Sequence, residues 1–233
     1  MREAELHAAE KRFFADAAHE MRTPLAVIGA QAHVLSQERD VARHPALLKT
    51  LQMGVQRAGD VLSKVLTLSQ LDAAGAASTI TLKTVDLDGL LRERVEEHAM
   101  RAVDGGHDIG LCEGPAVAIS INAALVSAAI DNLIDNALRY CPDGSHIDVS
   151  WGQQGGHAWW AVEDDGPGIP VAHRERVFER FERGAGSHEV TGSGLGLSIA
   201  REVAHKHGGL LRLEVPASGR GCRFVMVLPC HPG

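Results

Sequence analysis

The sequence predicts an α+β fold in two parts. An N-terminal helical hairpin pairs with a second copy as a dimeric four-helix bundle, and an α/β sandwich domain with a mixed sheet follows. Three observations predict this. The first seventy residues have a helical period and almost no turn residues. Near Asp72 the pattern breaks, and Ala73 to Thr79 is small, Gly-containing and aperiodic. Beyond it, short apolar runs alternate with helical segments joined by Gly-rich turns. The expected boundaries are a helical domain at 1–73, a linker at 74–79 and a second domain at 80–233.

In the first part, Phe14, Ala18, Met21, Leu25, Ile28, Ala32 and Leu35 follow the alternating spacing of four and three that makes a heptad seam. Leu48, Leu51, Val55, Ala58, Leu62 and Val65 make a second one. Gln37 to Pro45 is polar and ends in a proline, as a connection between helices does. A lone hairpin cannot bury both stripes, so two copies pair. The alternative is that the hairpin packs on its own C-terminal domain.

In the second part, Ile80–Val85 reads as a strand, and Asp86 caps a helix through Met100. Strands follow at His107–Cys112 and Val117–Ser120, then a helix from Ala123 to Tyr140. His146–Trp151 and His157–Val162 form a hairpin across Gly155-Gly156, with one of Trp159 and Trp160 in the core. A helix from Leu195 to His207 stops at Gly208-Gly209. The last hairpin joins Leu210–Val215 to Cys222–Leu228.

Composition narrows the function classes. The chain has 233 residues, a net charge of −7 and 45% apolar residues, so it is globular and poorly suited to nonspecific nucleic-acid binding. Cys112, Cys141, Cys222 and Cys230 show no metal-like spacing and read as ordinary cysteines of a reducing compartment. The longest uncharged stretch, Gly114 to Ile130, is too short for a membrane span. The N-terminus has no signal-peptide core. The expectation is a soluble, cytoplasmic chain that makes no membrane contact itself, with its thirteen histidines mostly on the surface.

Certain residues carry chemistry. His19 lies one step round from the seam, where water reaches it, and a neutral imidazole is a nucleophile. Glu20 beside it could fix the tautomer, leaving Nε2 to attack. Pro24 cannot donate to the Glu20 carbonyl, so the helix should loosen there. Threonine at 23 excludes a zinc site of the His-Glu-x-x-His type. Asn132 and Asn136, four apart on a helix, put two neutral oxygens on one face, which suits magnesium keeping phosphate and water as its other ligands. Arg139 and Tyr140 continue that face toward phosphate and nucleoside. Asp164 ends a strand in Asp164-Asp165-Gly166-Pro167-Gly168, where a carboxylate could accept from an exocyclic amine. Thr191-Gly192-Ser193-Gly194-Leu195-Gly196 opens a helix and offers bare amides to phosphates.

In this order the motifs resemble the catalytic core of a bacterial sensor histidine kinase. Phe14–Leu25 is similar to the H-box, Asp131–Ala137 to the N-box and Val162–Ile169 to the first glycine box. Val177–Phe181 is similar to the phenylalanine box and Gly192–Ile199 to the second glycine box. The resemblance implies a homodimeric phosphotransfer domain followed by an ATP-binding domain of the gyrase/Hsp90/histidine kinase/MutL type. It implies His19 as the phosphorylated nucleophile with Glu20 as base, and a response-regulator receiver domain as the recipient. Asn136 would hold Mg²⁺, with Asn132 near the phosphates. Asp164 would bind the adenine amine in a pocket shaped by Gly166 and Gly168, and Gly192, Gly194, Leu195 and Gly196 would hold the triphosphate of ATP. A short lid would span Glu182 to Thr191, and Arg139 stands where the family often has lysine. Thr23 would support dephosphorylation of the regulator, or its hydroxyl bonds back to the Ala18 or His19 carbonyl. Met1–Arg12 resembles the exit of a signal-transmitting linker, so the chain reads as the cytoplasmic part of an inner-membrane sensor or as a short soluble kinase. An ATP-driven clamp, or a docking or phosphatase module with a dead nucleotide site, are the rival readings.

Overall fold

Arg2–Gln37 is a single 36-residue helix, α1, and His44–Ala73 a 30-residue helix, α2. The computed structural model describes residues 2–73, 80–182 and 192–230. The expected linker, 74–79, and most of the expected lid, 183–191 with Thr191, lie outside the described residues, as does the Phe14 side chain. The chain divides into two compact units, Met1–Gln70 and Leu71–Gly233.

In the first unit, a short 3₁₀ turn at Val41–Arg43 joins the helices. Contact between Gly54 and Ile28 shows that they run back along one another. A Cβ on Gly54 would stand 3.0 Å from Ile28 Cγ1. The heptad seams split into two edges. Met21, Ile28 and Leu35 are half-buried, as are Leu51, Ala58 and Val65. Ala18, Leu25 and Ala32, and likewise Leu48, Val55 and Leu62, recur every seven residues and are exposed. Helical geometry runs through Pro24 without interruption, because a proline removes only one link of the ladder. Among the described residues, no helix is long and apolar enough to cross a membrane.

The second unit starts with Lys83–Asp86 (β1) and Leu87–Asp104 (α3), followed by Asp108–Leu111 (β2) and Ala118–Ile121 (β3). Ala123–Tyr140 (α4) leads to the hairpin His146–Gln154 (β4) and His157–Asp164 (β5). Gly196–Lys206 (α5), Leu210–Glu214 (β6) and Cys222–Pro229 (β7) complete it. One sheet has the order β2-β4-β5-β7-β6 and is mixed, with β2 parallel to β4 and the other pairs antiparallel. β1 and β3 form a separate two-stranded sheet.

Two sequence expectations shift. The helix after Asp86 runs to Asp104, past Met100. Asp86 holds the N-cap position without a capping side-chain bond, because it also ends β1, paired with Ala118 in extended backbone.

Strand parity decides what the helices α3, α4 and α5 cover. Trp151, Trp160, Met226 and Leu211 pair across four strands as one inward row, and Val149, Val162, Phe224 and Leu213 make the next. Trp160 is wholly buried, and truncating it to alanine would cost about 3–5 kcal/mol. The third inward row is Ile147, Asp164 and Cys222. The parity that buries Trp160 and Val162 therefore turns Asp164 under the helices. On the outer face Trp159 covers its partner Gly152, where an added Cβ would stand 2.9 Å from the indole.

Candidate functional site

In the first unit His19 and Thr23 are exposed and lie one helical turn apart on one face of α1. Glu20 is half-buried, and consecutive helical residues project about 100° apart. Among the described residues no hydrogen bond joins the two, so the expected pairing of His19 with Glu20 is not formed here. Thr50 and Thr67 of α2 donate their hydroxyls to carbonyls four residues back at 3.0 Å. Among the described residues Thr23 forms no such bond, and like His19 it is exposed.

In the second unit α4 positions most of the site. Its N-cap is Asn122, whose Oδ1 accepts from Leu125 N at 3.1 Å. Asn132 is buried and donates Nδ2 to the Ala128 carbonyl at 2.8 Å. That turns its Oδ1 toward Gly196, where an added Cβ would lie 3.0 Å away. Arg139 and Tyr140, two turns further, face Gly192: a Cβ there would stand 2.7 Å from Arg139 Nη1 and 3.6 Å from the Tyr140 hydroxyl. Gly192–Gly196 thus runs back alongside α4, at Arg139 with one end and at Asn132 with the other. Asn136 lies between them on the helix and is half-buried.

The loop's glycines are required by close approach. Gly194 has φ +65° and would place a Cβ 2.6 Å from the Phe181 carbonyl carbon. Phe181 itself has φ +61°, which a bulky residue rarely adopts, and its N–H donates to the Gly194 carbonyl at 2.9 Å. This contact ties together the segments on either side of the expected lid. Leu195 is fully buried and anchors the start of α5.

Asp164 organises the other end. Its Oδ1 accepts from the Gly166 and Cys222 amides, each at 3.1 Å. Burial raises its carboxyl above the ordinary value, against the lowering effect of those amides and of the Cys141 thiol. Burial, then the Asp164 charge, push the Cys222 thiol up to about 12 and Cys141 higher still. Asp165 points the other way, with Oδ1 accepting from His146 N at 3.0 Å. Gly166 is packed: an added Cβ would be 2.6 Å from Cys141 Sγ and 3.0 Å from Asp164 Oδ1. Gly168, at φ +75°, passes over Gly221, whose own Cβ would collide with the Asp164 carbonyl.

The predicted residues of the second unit therefore gather on α4, the end of β5 and the loop entering α5. Sequence reasoning missed Cys141 and Cys222 beside Asp164, and it missed Gly221. Cys141 directly follows Tyr140, a nearness that was legible; the β5–β7 pairing that brings in Cys222 was not. The site fits a nucleotide on structural grounds. Bare backbone lines it where any Cβ would intrude, one Asp164 oxygen is held by amides, the Arg139 guanidinium suits phosphate, and the asparagine oxygens suit a hard cation.

Comparison with known proteins agrees with this geometry. Residues 9–74 match the His Kinase A (phospho-acceptor) domain, and residues 122–232 match the histidine kinase-, DNA gyrase B-, and HSP90-like ATPase. The swarming motility regulation sensor protein RssA of Serratia marcescens is 36% identical over 94% of this chain and 46% of its own length. The signal transduction histidine-protein kinase/phosphatase MprB of Mycobacterium avium is 34% identical over 98% of this chain and 45% of its own length. The chain spans about half the length of these curated relatives. A solved structure of a mycobacterial sensor histidine kinase MprB is 33% identical, with a TM-score of 0.57 over 65% of this chain and 99% of that one. With both domain models matched in order and that structure covered almost end to end, the chain belongs to the sensor histidine kinases and holds their catalytic core.

Proposed function

We propose that the chain is an ATP-dependent protein-histidine autokinase of a two-component phosphorelay. The observation that carries this reading is the buried Asp164 carboxylate at one end of a Gly-lined site, with Asn132, Asn136, Arg139 and Tyr140 of α4 at the other. In this reading Asp164 accepts from the adenine amine, and Gly166 and Gly168 shape the adenine pocket. The amides of Gly192, Gly194, Leu195 and Gly196, with Asn132 and Arg139, hold the triphosphate, and Tyr140 borders the nucleoside. Asn136 is the protein ligand for Mg²⁺, which when bound neutralises phosphate charge. The His19 Nε2 lone pair attacks the γ-phosphorus; the N–P bond forms as the bond to the β–γ bridging oxygen breaks, and ADP leaves. Glu20 serves as the base for His19 after a side-chain rotation toward it.

The phosphoryl group then passes to an aspartate of a response-regulator receiver domain. Thr23, exposed one helical turn from His19, orients water for dephosphorylating that partner, a reading supported by the kinase/phosphatase name of the MprB relative. The exposed apolar edge at Leu25, Leu48, Val55 and Leu62 supports a homodimer through residues 1–73, with residues 80–233 as the ATP-binding domain. Since the relatives named as sensor proteins are about twice as long, we read this chain as the cytoplasmic part of an inner-membrane sensor.

The test is incubation with γ-labelled ATP and Mg²⁺, for wild type and His19→Gln. Label that is acid-labile, alkali-stable and lost in the variant is expected. Label that survives His19→Gln would move the acceptor elsewhere, and ATP binding without label would favour a clamp or phosphatase.

A further inference from the structure

Asp131 and Asp135 immediately precede the two asparagines of α4 and lie about 100° round the helix from them, against α3. His98, buried on α3, stands between these carboxylates. Its Nε2 is 3.1 Å from Asp131 Oδ1, and its Nδ1 is 3.3 Å from Arg101 Nη1. The same Arg101 nitrogen pairs with Asp135 Oδ1 at 2.8 Å. Arginine only donates, so this bonding pattern assigns Nδ1 as acceptor and Nε2 as the protonated nitrogen. Donation runs from Arg101 to His98 to Asp131, while Arg101 holds Asp135 as an ion pair, its Oδ1 buried without a hydrogen-bond donor of its own among the described residues. Arg94, bonded twice to Glu97 at 2.7 and 2.8 Å, approaches Asp131 at 3.7 Å.

We propose that His98, together with Arg101, is a positioning residue for the metal and triphosphate end of the site, acting through Asp131 and Asp135. This rests on the nucleotide reading above. The apolar side of α4, with Ile130, Leu133 and Ile134 fully buried, fixes its distance from the sheet. Apolar contacts resist rolling of a helix weakly, because they are non-directional. A roll of about 10° shifts an oxygen about 6 Å from the axis by about 1 Å. Magnesium requires ligands at about 2.0–2.1 Å in near-octahedral geometry, so Asn136 cannot absorb such a shift. Polar restraints at positions 131 and 135, one turn apart, oppose both roll and tilt. Asp164 sits on β5 and is untouched by that lock, so the two ends of the site should respond differently.

The experiment is equilibrium ATP binding to the full chain, in EDTA and in Mg²⁺, for wild type, His98→Ala, His98→Gln and Arg101→Gln. In His98→Ala the gain in ATP affinity on adding Mg²⁺ is expected to fall about tenfold, while affinity in EDTA stays within about twofold. Gln can donate to Asp131 and is expected to recover most of the gain; Arg101→Gln should lose part of it. If His98→Ala does not fold, the two glutamine variants carry the comparison. An unchanged Mg²⁺ gain overturns the inference, as does a proportional loss in both conditions that Gln does not rescue. Wild type that binds no ATP in either condition would instead overturn the functional reading.

Discussion

His207 Nε2 accepts the backbone N–H of Asn122 at 3.0 Å, while its Nδ1 donates to the Val203 carbonyl at 2.7 Å. The end of α5 is thereby joined to the N-cap of α4. Burial lowers the ring's pKa below 6.5, against the Val203 bond, and the acceptor role requires the neutral form. As pH falls below 6.5, the unfolded chain takes up this proton before the folded one. Stability is thus full above that pH and declines toward the lowered folded value. Unfolding followed from pH 8 to 5 should show a steeper loss in wild type than in His207→Gln, which keeps an acceptor without titrating. His207→Phe leaves the Asn122 N–H unpaired and should cost about 2 kcal/mol at any pH.

If Asp164 holds the nucleotide as proposed, it does so at a cost in stability. Because burial raises its pKa, the ionised carboxylate is a net cost to the nucleotide-free fold at neutral pH. That contribution favours folding below pH 3.8 and is lost as pH rises through the folded value. Asp164→Asn keeps an oxygen for the Gly166 and Cys222 amides, so its unfolding midpoint without nucleotide should equal or exceed that of wild type. ATP affinity should fall on the order of 10- to 100-fold, the worth of one charged hydrogen bond. A variant that loses both together would show Asp164 to be a structural residue.

Local signals in the sequence located elements well. Asn122 and the apolar period from Val126 to Ala137 place α4 at Ala123–Tyr140, and the glycine pairs place both hairpins. Motif order named Asn132, Arg139 and Tyr140 together with the Gly192–Gly196 loop, and the structure places those three beside that loop. What was illegible depends on partners far along the chain. The separate β1–β3 sheet and the parallel β2–β4 pair depend on register between non-adjacent segments. The expectation that the histidines lie mostly on the surface did not say which are buried, and these are His98, His107 and His207. The partners of His98 and His207 lie 33 and 85 residues away, beyond any periodicity window.

Two glycines with nearly the same backbone separate conformational cost from crowding. Gly219 has φ +75° with nothing near a hypothetical Cβ, whereas Gly194 at φ +65° would drive one into Phe181. Gly219→Ala should therefore cost about 1 kcal/mol, the left-handed penalty alone. Gly194→Ala should cost about 3 kcal/mol, since a backbone carbon cannot rotate away. Denaturant titration of both variants checks the difference, and equal losses would mean that the Phe181–Gly194 contact gives way easily.

Cys141 and Gly166 should be energetically coupled through shared space. A methyl at 166 would stand 2.6 Å from Cys141 Sγ, so Gly166→Ala must displace either the thiol or the loop that carries Asp164's amide partner. ATP affinity is expected to drop by at least tenfold in Gly166→Ala and to change little in Cys141→Ala. With the sulfur removed, the nearest remaining atom of residue 141 is its Cβ at 3.5 Å, an ordinary contact. Asp164 Oδ1 at 3.0 Å still crowds the methyl, so recovery in the double variant should be partial. A coupling of about 1 kcal/mol or more in this cycle, read from ATP binding, is the expected result. Strict additivity would show that Gly166 is needed for its backbone freedom and that Cys141 does not shape the pocket.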